Sequence, residues 1–563
     1  MFCRVRVLAV AWLTLVCFGS HLALFRQANA LWAAIARTGD ASRLPALHSL
    51  YMQAYETSPN RSFFEGFWES LRVATVGCLH RALPPREVIH ETLERELAAG
   101  GGGETRVSHM VALMHLDPPH LASVARAWAR AFEPPPPLQQ PSPAAPPRRR
   151  PWDASRRLAV GVLSANLGDH PVGHHITPLL RHLDRARFDL ACFALPPCAA
   201  TGSAGLRSDA SLEANGLACG GLTALPSAPG EQAAALAHLD IIVYLDGYEG
   251  KGHGMAALAL LAQRPGVTPT VVSFFGFLAT LGADYVHALV GDATATPPSS
   301  LGPHFRERLL LHSGTFFVQN YRERHPELFA AAAGSGGSGG AGPPDPAAPF
   351  AFCSFSRLWK VSPATWESWL TILLRTGNAT ELLLPNEPPI SIAGLLQHPL
   401  LTSSPSLRSR IHFLAPLPHS EHLLIKGQRC GLGLDTEHHN GHVSSADLLA
   451  AGVPMLTVEG GGFGGRVTAS LNKAAGAPAL FTVLSHSAYV ETAVAVYEAY
   501  AQRAVVRGLA EAGFGALGEE EEEEEGEGGA GGLLWRPTLG SLLFDTARWV
   551  AGFEEVLQSA ATW

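Results

Sequence analysis

The chain has 563 residues, 47% of them hydrophobic and 16% charged, with 57 glycines and 42 prolines. That is enough apolar material for large cores in roughly three or four domains, joined by long loops. The formal net charge of -8 matches the glutamates at 519–525 and 527; without them the chain is near neutral, which argues against a nucleic-acid binder, whose mark is clustered Lys and Arg. Eight scattered cysteines with no Cys-x-x-Cys pair argue against a disulfide scaffold and a thiolate zinc site.

Taken from the N-terminus, Arg4 and Arg6 precede an apolar run at 7–18, and Ala28-Asn29-Ala30 has the small-x-small form of a cleavage site. Residues 1–30 read either as a secretory signal or as a buried first helix. Apolar spacing predicts helices over 31–133, and Tyr51, Ala54 and Pro59 match the second half of a tetratricopeptide repeat without a sustained period. A Pro-rich linker covers 134–155. The pattern then alternates: strands at 158–164, 188–195, 241–245, 270–275 and 288–290, with a helix at 174–183. A Gly/Pro linker at 331–349 leads to a second series, with strands at 350–355, 381–384, 410–414, 431–435 and 454–458 and a closing amphipathic helix at 545–557. This rhythm predicts an α/β fold: two Rossmann-like domains, 156–330 and 350–563, facing a cleft and preceded by a small α-helical region. The polyglutamate run at 519–527 reads as a solvated loop.

Three segments carry candidate chemistry. At 434–454 a strand ends at Asp435, a polar loop follows, and a helix starts near Ser444, capped by Ser444 or Ser445 and ended by Gly452. A helix start at the C-terminal end of a parallel strand favours phosphate, and Asp447, one turn in, is placed for ribose hydroxyls. An ordinary capped helix is the plainer reading. Lys360 follows the strand at 350–355, where its cation can pair with a diphosphate. After the strand at 158–164 stand His170, His174 and His175. They lack the His-Glu-x-x-His arrangement, so a histidine facing a sugar or acceptor hydroxyl is the better reading. The glycines at 460–465 read as a turn feeding a helix rather than a dinucleotide fingerprint.

Together these stretches resemble the catalytic region of the O-linked N-acetylglucosamine transferase family, glycosyltransferase family 41, which includes the SPINDLY-type proteins. The matching stretches are Val160-Gly-Val-Leu-Ser-Ala-Asn-Leu-Gly-Asp-His-Pro-Val-Gly-His, Phe352-Cys-Ser-Phe-Ser-Arg-Leu-Trp-Lys-Val-Ser-Pro, Glu421-His422, residues 435–454, and Leu543-Phe-Asp-Thr-Ala. They run in order across 156–560, and His109-Met-Val-Ala-Leu-Met-His resembles the family's helical lead-in. The resemblance implies a GT-B fold and transfer of N-acetylglucosamine from UDP-GlcNAc to protein Ser or Thr hydroxyls, with inversion and without metal or cofactor. It implies that Lys360 meets the diphosphate, His422 packs on the uracil, His442, Val443 and Ser444 hold the phosphates, and Asp447 binds ribose. His170 falls at the active-site histidine, and Gly276 and Leu278 at the sugar pocket. Departures from the family pattern are Arg357 for a Gln, His419 for a uracil-contacting Lys, Val443 for a Thr and Leu278 for a Pro. A SPINDLY-like fucosyl transfer from GDP-fucose and a non-catalytic nucleotide-sugar-binding relative are the alternatives. Which group takes the acceptor proton is left open between His170 and a donor phosphate oxygen. The family resemblance implies the cytosol and nucleus, whereas residues 1–30 imply the secretory pathway or a membrane anchor.

Overall fold

The computed structural model describes residues 61–134, 155–196, 210–248, 252–328, 349–511 and 534–562 with short breaks, plus scattered positions before residue 61 and Arg148 and Arg149. Nearly all of the signal-like segment, the half repeat at 51–59, most of the Pro-rich linker, the Gly/Pro linker and the polyglutamate loop lie outside the described residues. Among the described residues no helix is long and apolar enough to cross a membrane.

The helical region comprises α1 (Arg61–Val76), α2 (Arg86–Ala99), α3 (His109–His115) and α4 (Pro118–Arg130). Ser108 and Asp117 cap the last two through their side chains, and Pro118 opens α4, where its missing N–H costs nothing. Phe67, Trp68, Leu93 and Val111 close a small core of their own.

The first α/β unit contains β1 (Leu158–Ser164), α5 (Pro171–His182), β2 (Phe188–Ala194), α6 (Ala210–Cys219), β3 (Leu222–Ala224), α7 (Pro229–Leu236), β4 (Ile241–Tyr244), α8 (Met255–Ala262), β5 (Thr270–Ser273), β6 (Ala288–Asp292) and β7 (Arg308–His312). All neighbouring strands are parallel, in the order β3-β2-β1-β4-β5-β6-β7. The central strands β4 and β5 are buried at every position, which is why they read as unbroken apolar runs and not as alternation.

After α9 (Tyr321–Arg324), the second unit contains β8 (Phe350–Cys353), α10 (Pro363–Thr376), β9 (Thr380–Pro385), β10 (Ile411–Leu414), α11 (His419–Arg429), β11 (Cys430–Leu434), α12 (Val443–Ala450), β12 (Met455–Val458), α13 (Val467–Ala475), β13 (Thr482–Val483) and α14 (His486–Glu511). Its parallel sheet runs β10-β9-β8-β11-β12-β13. In both sheets the order reverses beside the first strand, between β1 and β4 and between β8 and β11. Such reversal points leave a crevice at the strands' C-terminal ends, where ligands of open α/β sheets bind.

The last helix, α15 (Thr546–Ala561), returns to the first sheet: Trp549 stacks on His312 at 5.1 Å and Phe553 meets Phe274 at 4.8 Å. One apolar cluster accordingly runs from Val272 and Phe274 through Leu448 and Leu449 to Phe553. Four cysteines are paired, Cys192 with Cys219 and Cys353 with Cys430. The second pair ties β8 to β11 across the reversal point.

Candidate active site

The loop after β11 is built around Asp435, buried at the strand's end. It accepts from the Gly441 amide at 2.8 Å and from Thr457 Oγ1 at 3.0 Å. A Cβ on Gly441 would lie within 2.3 Å of Ser445 Oγ and 3.1 Å of Ser356 Oγ, so only glycine lets the loop approach so closely. His442 follows with φ +48°, in a region a side chain rarely adopts. It is the N-cap of α12 but makes no capping bond. The sequence-based expectation of a serine cap is thus corrected: Ser444 Oγ donates back to the Gly441 carbonyl at 2.8 Å. Instead His442 turns its ring to Gly464 O, at 3.0 Å, and packs edge-on against His439. Burial first, and the nearby Lys360 second, hold both imidazoles well below the usual histidine range, so both are neutral.

Lys360 ends a 3-10 turn after β8 and is 8% exposed; its Nζ donates to Asn440 O at 2.8 Å. A lysine at this depth keeps its charge only with a partner or an anion at hand, and it sits directly beside the 440–444 loop. Arg357, three residues earlier, is exposed.

The helical region holds this turn in place. Cys78 Sγ donates to Leu358 O at 3.2 Å and His80 Nε2 to Val361 O at 2.9 Å, one on each side of Lys360. Burial pushes the Cys78 thiol up to about 12, so it acts as a neutral donor.

α11 presents His419, His422 and Lys426 at positions i, i+3 and i+7, hence on one face. Asp447, 5% exposed on α12, receives Lys426 Nζ at 2.7 Å, His419 Nε2 at 3.0 Å and the Tyr321 hydroxyl at 2.6 Å. Burial alone would raise this carboxyl, but Lys426 and then His419 hold it far below the usual carboxylate range. His325 completes the chain at 3.0 Å from His419 Nδ1. Tyr321 and His325 precede the linker between the units, so this network closes the cleft. His422 packs edge-on to Phe355 at 4.8 Å, and burial followed by Lys426 lowers it to about 4.

On the opposite wall His170 is the N-cap of α5, and its Nδ1 accepts from the Val172 amide at 3.2 Å. Burial, then His174, lowers its pKa. A neutral ring with Nδ1 as acceptor carries its proton on Nε2. His174 and His175 are directed elsewhere, to Asp169 and Val318 O. Asp246, just beyond β4, was not picked out from the sequence. Burial pushes it up to about 6, against hydrogen bonds from Ser164 Oγ at 2.5 Å and the Ala165 amide at 2.6 Å.

Gly276 follows Phe275, whose φ is +74°; a Cβ there would fall 1.8 Å from Leu245 O. Leu278 lines a cavity of about 140 Å³ where all three parts of the chain meet, with Leu113 and Asp117 from the helical region and His438 and Gly462 from the second unit. A second cavity of about 360 Å³ lies between His80, Pro84 and Trp359.

Two Rossmann-like units closing on a crevice lined by a buried lysine and a helix start define the GT-B class of glycosyltransferase. The glycosyl transferase family 41 model matches residues 143–335 and 342–509. A probable UDP-N-acetylglucosamine--peptide N-acetylglucosaminyltransferase SEC of Arabidopsis thaliana is 27% identical over 400 residues, 71% of this chain and 36% of the relative. The corresponding SPINDLY protein of rice (Oryza sativa subsp. japonica) is 24% identical over 322 residues, 55% of this chain and 32% of that protein. The matched part thus spans about a third of the length of these relatives. The solved structure of a point mutant of the Thermobaculum terrenum O-GlcNAc transferase superposes with a TM-score of 0.61 at 21% identity, covering 96% of this chain and 94% of that one. The chain belongs to glycosyltransferase family 41.

Proposed function

We propose that this glycosyltransferase transfers N-acetylglucosamine from UDP-GlcNAc to Ser or Thr hydroxyls of proteins, with inversion and without a metal at the diphosphate. The observation that carries this reading is the buried Lys360 ammonium, 2.8 Å from Asn440 O and beside the Gly441–His442 turn that opens α12. A diphosphate leaving group gathers negative charge as the sugar bond breaks, and a fixed cation with a helix start answers that charge without a divalent ion. The name of the Arabidopsis relative supports UDP-GlcNAc as donor.

In this reading His422 and Phe355 flank the base, and Asp447, already ionised by its partners, accepts from the ribose. His170 offers Nε2–H to the sugar or acceptor and does not take the acceptor's proton; the proton passes to a donor phosphate oxygen. Leu278 and the turn at Gly276 shape the sugar end.

Calorimetry with UDP and GDP tests the donor. UDP is expected to bind, and at 100 times its Kd to stabilise the chain by about 2.7 kcal/mol. GDP binding without UDP binding turns the reading to fucosyl transfer, the alternative that the resemblance to SPINDLY-type proteins leaves open. Binding of neither nucleotide ends it.

A further inference from the structure

Apart from the residues at the diphosphate, α2 and α4 bring together four side chains that the transfer reaction does not use. His90 and Glu94 lie one turn apart on α2, and Asp117 and His120 form the start of α4. The imidazoles of His90 and His120 stack with centroids 3.8 Å apart. One ligand atom from each of His90, Asp117 and His120 lies within 4.8 Å of the other two. Asp117 Oδ1 meets His120 Nδ1 at 2.5 Å, and Glu94 Oε1 stands 3.6 Å from His120 Nε2. The backbone of His115 hydrogen-bonds the His90 ring, while His90 Nε2 is buried without a hydrogen-bond partner.

We propose that His90, Asp117 and His120 form a binding site for a divalent transition-metal ion of the zinc type, with Glu94 behind the His120 ring as its orienting carboxylate. Two imidazoles and the Asp117 carboxylate offer nitrogen and oxygen donors matched to zinc, and the charges of Asp117 and Glu94 together balance a dication. The buried, unpartnered Nε2 of His90 would gain the partner that a buried polar atom requires. Glu94 beside His120 Nε2 is the carboxylate–histidine pairing that orients a ligating ring and leaves Nδ1, next to Asp117, for the metal. Arg86, whose charge acts on His90, is turned to the His115 carbonyl at 3.2 Å. Bound metal would join α2 to the start of α4, and Asp117 is also a wall of the 140 Å³ cavity at the three-way junction. The ion would therefore brace the helical region against the cleft and take no part at the diphosphate.

The test uses the full chain stripped by chelator and titrated with zinc chloride against a chromophoric chelator, with melting followed in parallel. Wild type is expected to take up one more equivalent of zinc than His90→Gln and to gain a zinc-dependent rise in Tm that the variant lacks. Cobalt chloride should give the visible bands of a four-coordinate ion in wild type alone. Glu94→Gln, at an exposed side chain and so harmless to folding, should bind zinc at least tenfold more weakly. Equal zinc uptake by wild type and His90→Gln, or unchanged affinity in Glu94→Gln, overturns the site. No donor enters these measurements, so the outcome is independent of the proposed transfer reaction.

Discussion

The Tyr321 hydroxyl donates to Asp447 Oδ1 at 2.6 Å, joining the segment that leaves the first α/β unit to the first turns of α12 in the second. Asp447 is thereby held from both sides of the cleft, with Lys426 and His419 on its own side.

Removing one partner of this buried pair leaves a charge without compensation. Lys426→Met should lower stability by roughly 3–5 kcal/mol, and Lys426→Met with Asp447→Asn should recover most of it, because the paired loss removes both charges. Tyr321→Phe should cost roughly 1.5–3 kcal/mol, the range for a hydrogen bond to a charged group. Equilibrium urea denaturation of the set checks both; additive effects of Lys426→Met and Asp447→Asn would contradict the coupling.

Lys360 should matter more to turnover than to donor binding, since the charge it answers develops in the transition state. Lys360→Ala is expected to lower kcat by about 10²–10³, roughly 2.7–4 kcal/mol. Lys360→Arg should not restore it, because a planar guanidinium does not fit a pocket shaped for an ammonium. Steady-state kinetics with UDP-GlcNAc and a Ser/Thr peptide decide; a rate within threefold of wild type rules out the phosphate role.

If His170 donates through Nε2 and does not accept the proton, an amide can partly replace it. His170→Asn should retain at least tenfold more kcat than His170→Ala, with no loss of an acidic limb in the pH profile. Equal activities of the two variants, with that limb abolished in both, would restore the histidine as base.

Acid should loosen the strap on the Lys360 turn. His80 titrates at about 4 in the fold, mainly through burial, against an ordinary value of 6.5. The unfolded chain therefore binds the extra proton first, and the stability present above pH 6.5 drains away as pH falls toward 4, by about 3 kcal/mol in all. His115, lowered to about 3 by burial, acts in the same direction. Urea midpoints between pH 7 and pH 5 should fall more steeply in wild type than in His80→Gln.

The two series of apolar runs made the parallel sheets legible, because strands buried on both faces leave no alternation to confuse them. Lys360 and Asp447 were legible for a related reason: Lys360 follows the end of β8, and Asp447 lies early in the helix that follows β11, where the fold class places ligands. Lys426 was missed although it shares a helical face with His419 and His422; a lysine on a mixed face reads as solvated until its carboxylate is located. Asp246 carried a signal of the same kind as Lys360, an ionisable residue just past the apolar run at 241–245. The serine cap failed because the helix begins earlier, at Val443, which puts His442, with its positive φ, in the cap position. The hold of Cys78 and His80 on the turn at 358–361 joins positions about 280 apart in the chain, and no local pattern encodes such a contact.

The helices α1 to α4 are seated in both α/β units and are no mere preface to them. Tyr248 and Tyr285 end their hydroxyls on the carbonyls of Ala125 and Ala129, and a Cβ on Gly282 would press on the Arg126 backbone. A fragment trimmed to the two sheets would strand those hydroxyls beside a bared apolar wall and release the turn that carries Lys360. For this chain, a fusion or swap boundary belongs ahead of Ala28, which with Leu47 is buried against Val73 and Ala74, and a cut after residue 134, inviting as the Pro-rich sequence looks, would sever these helices from both α/β units.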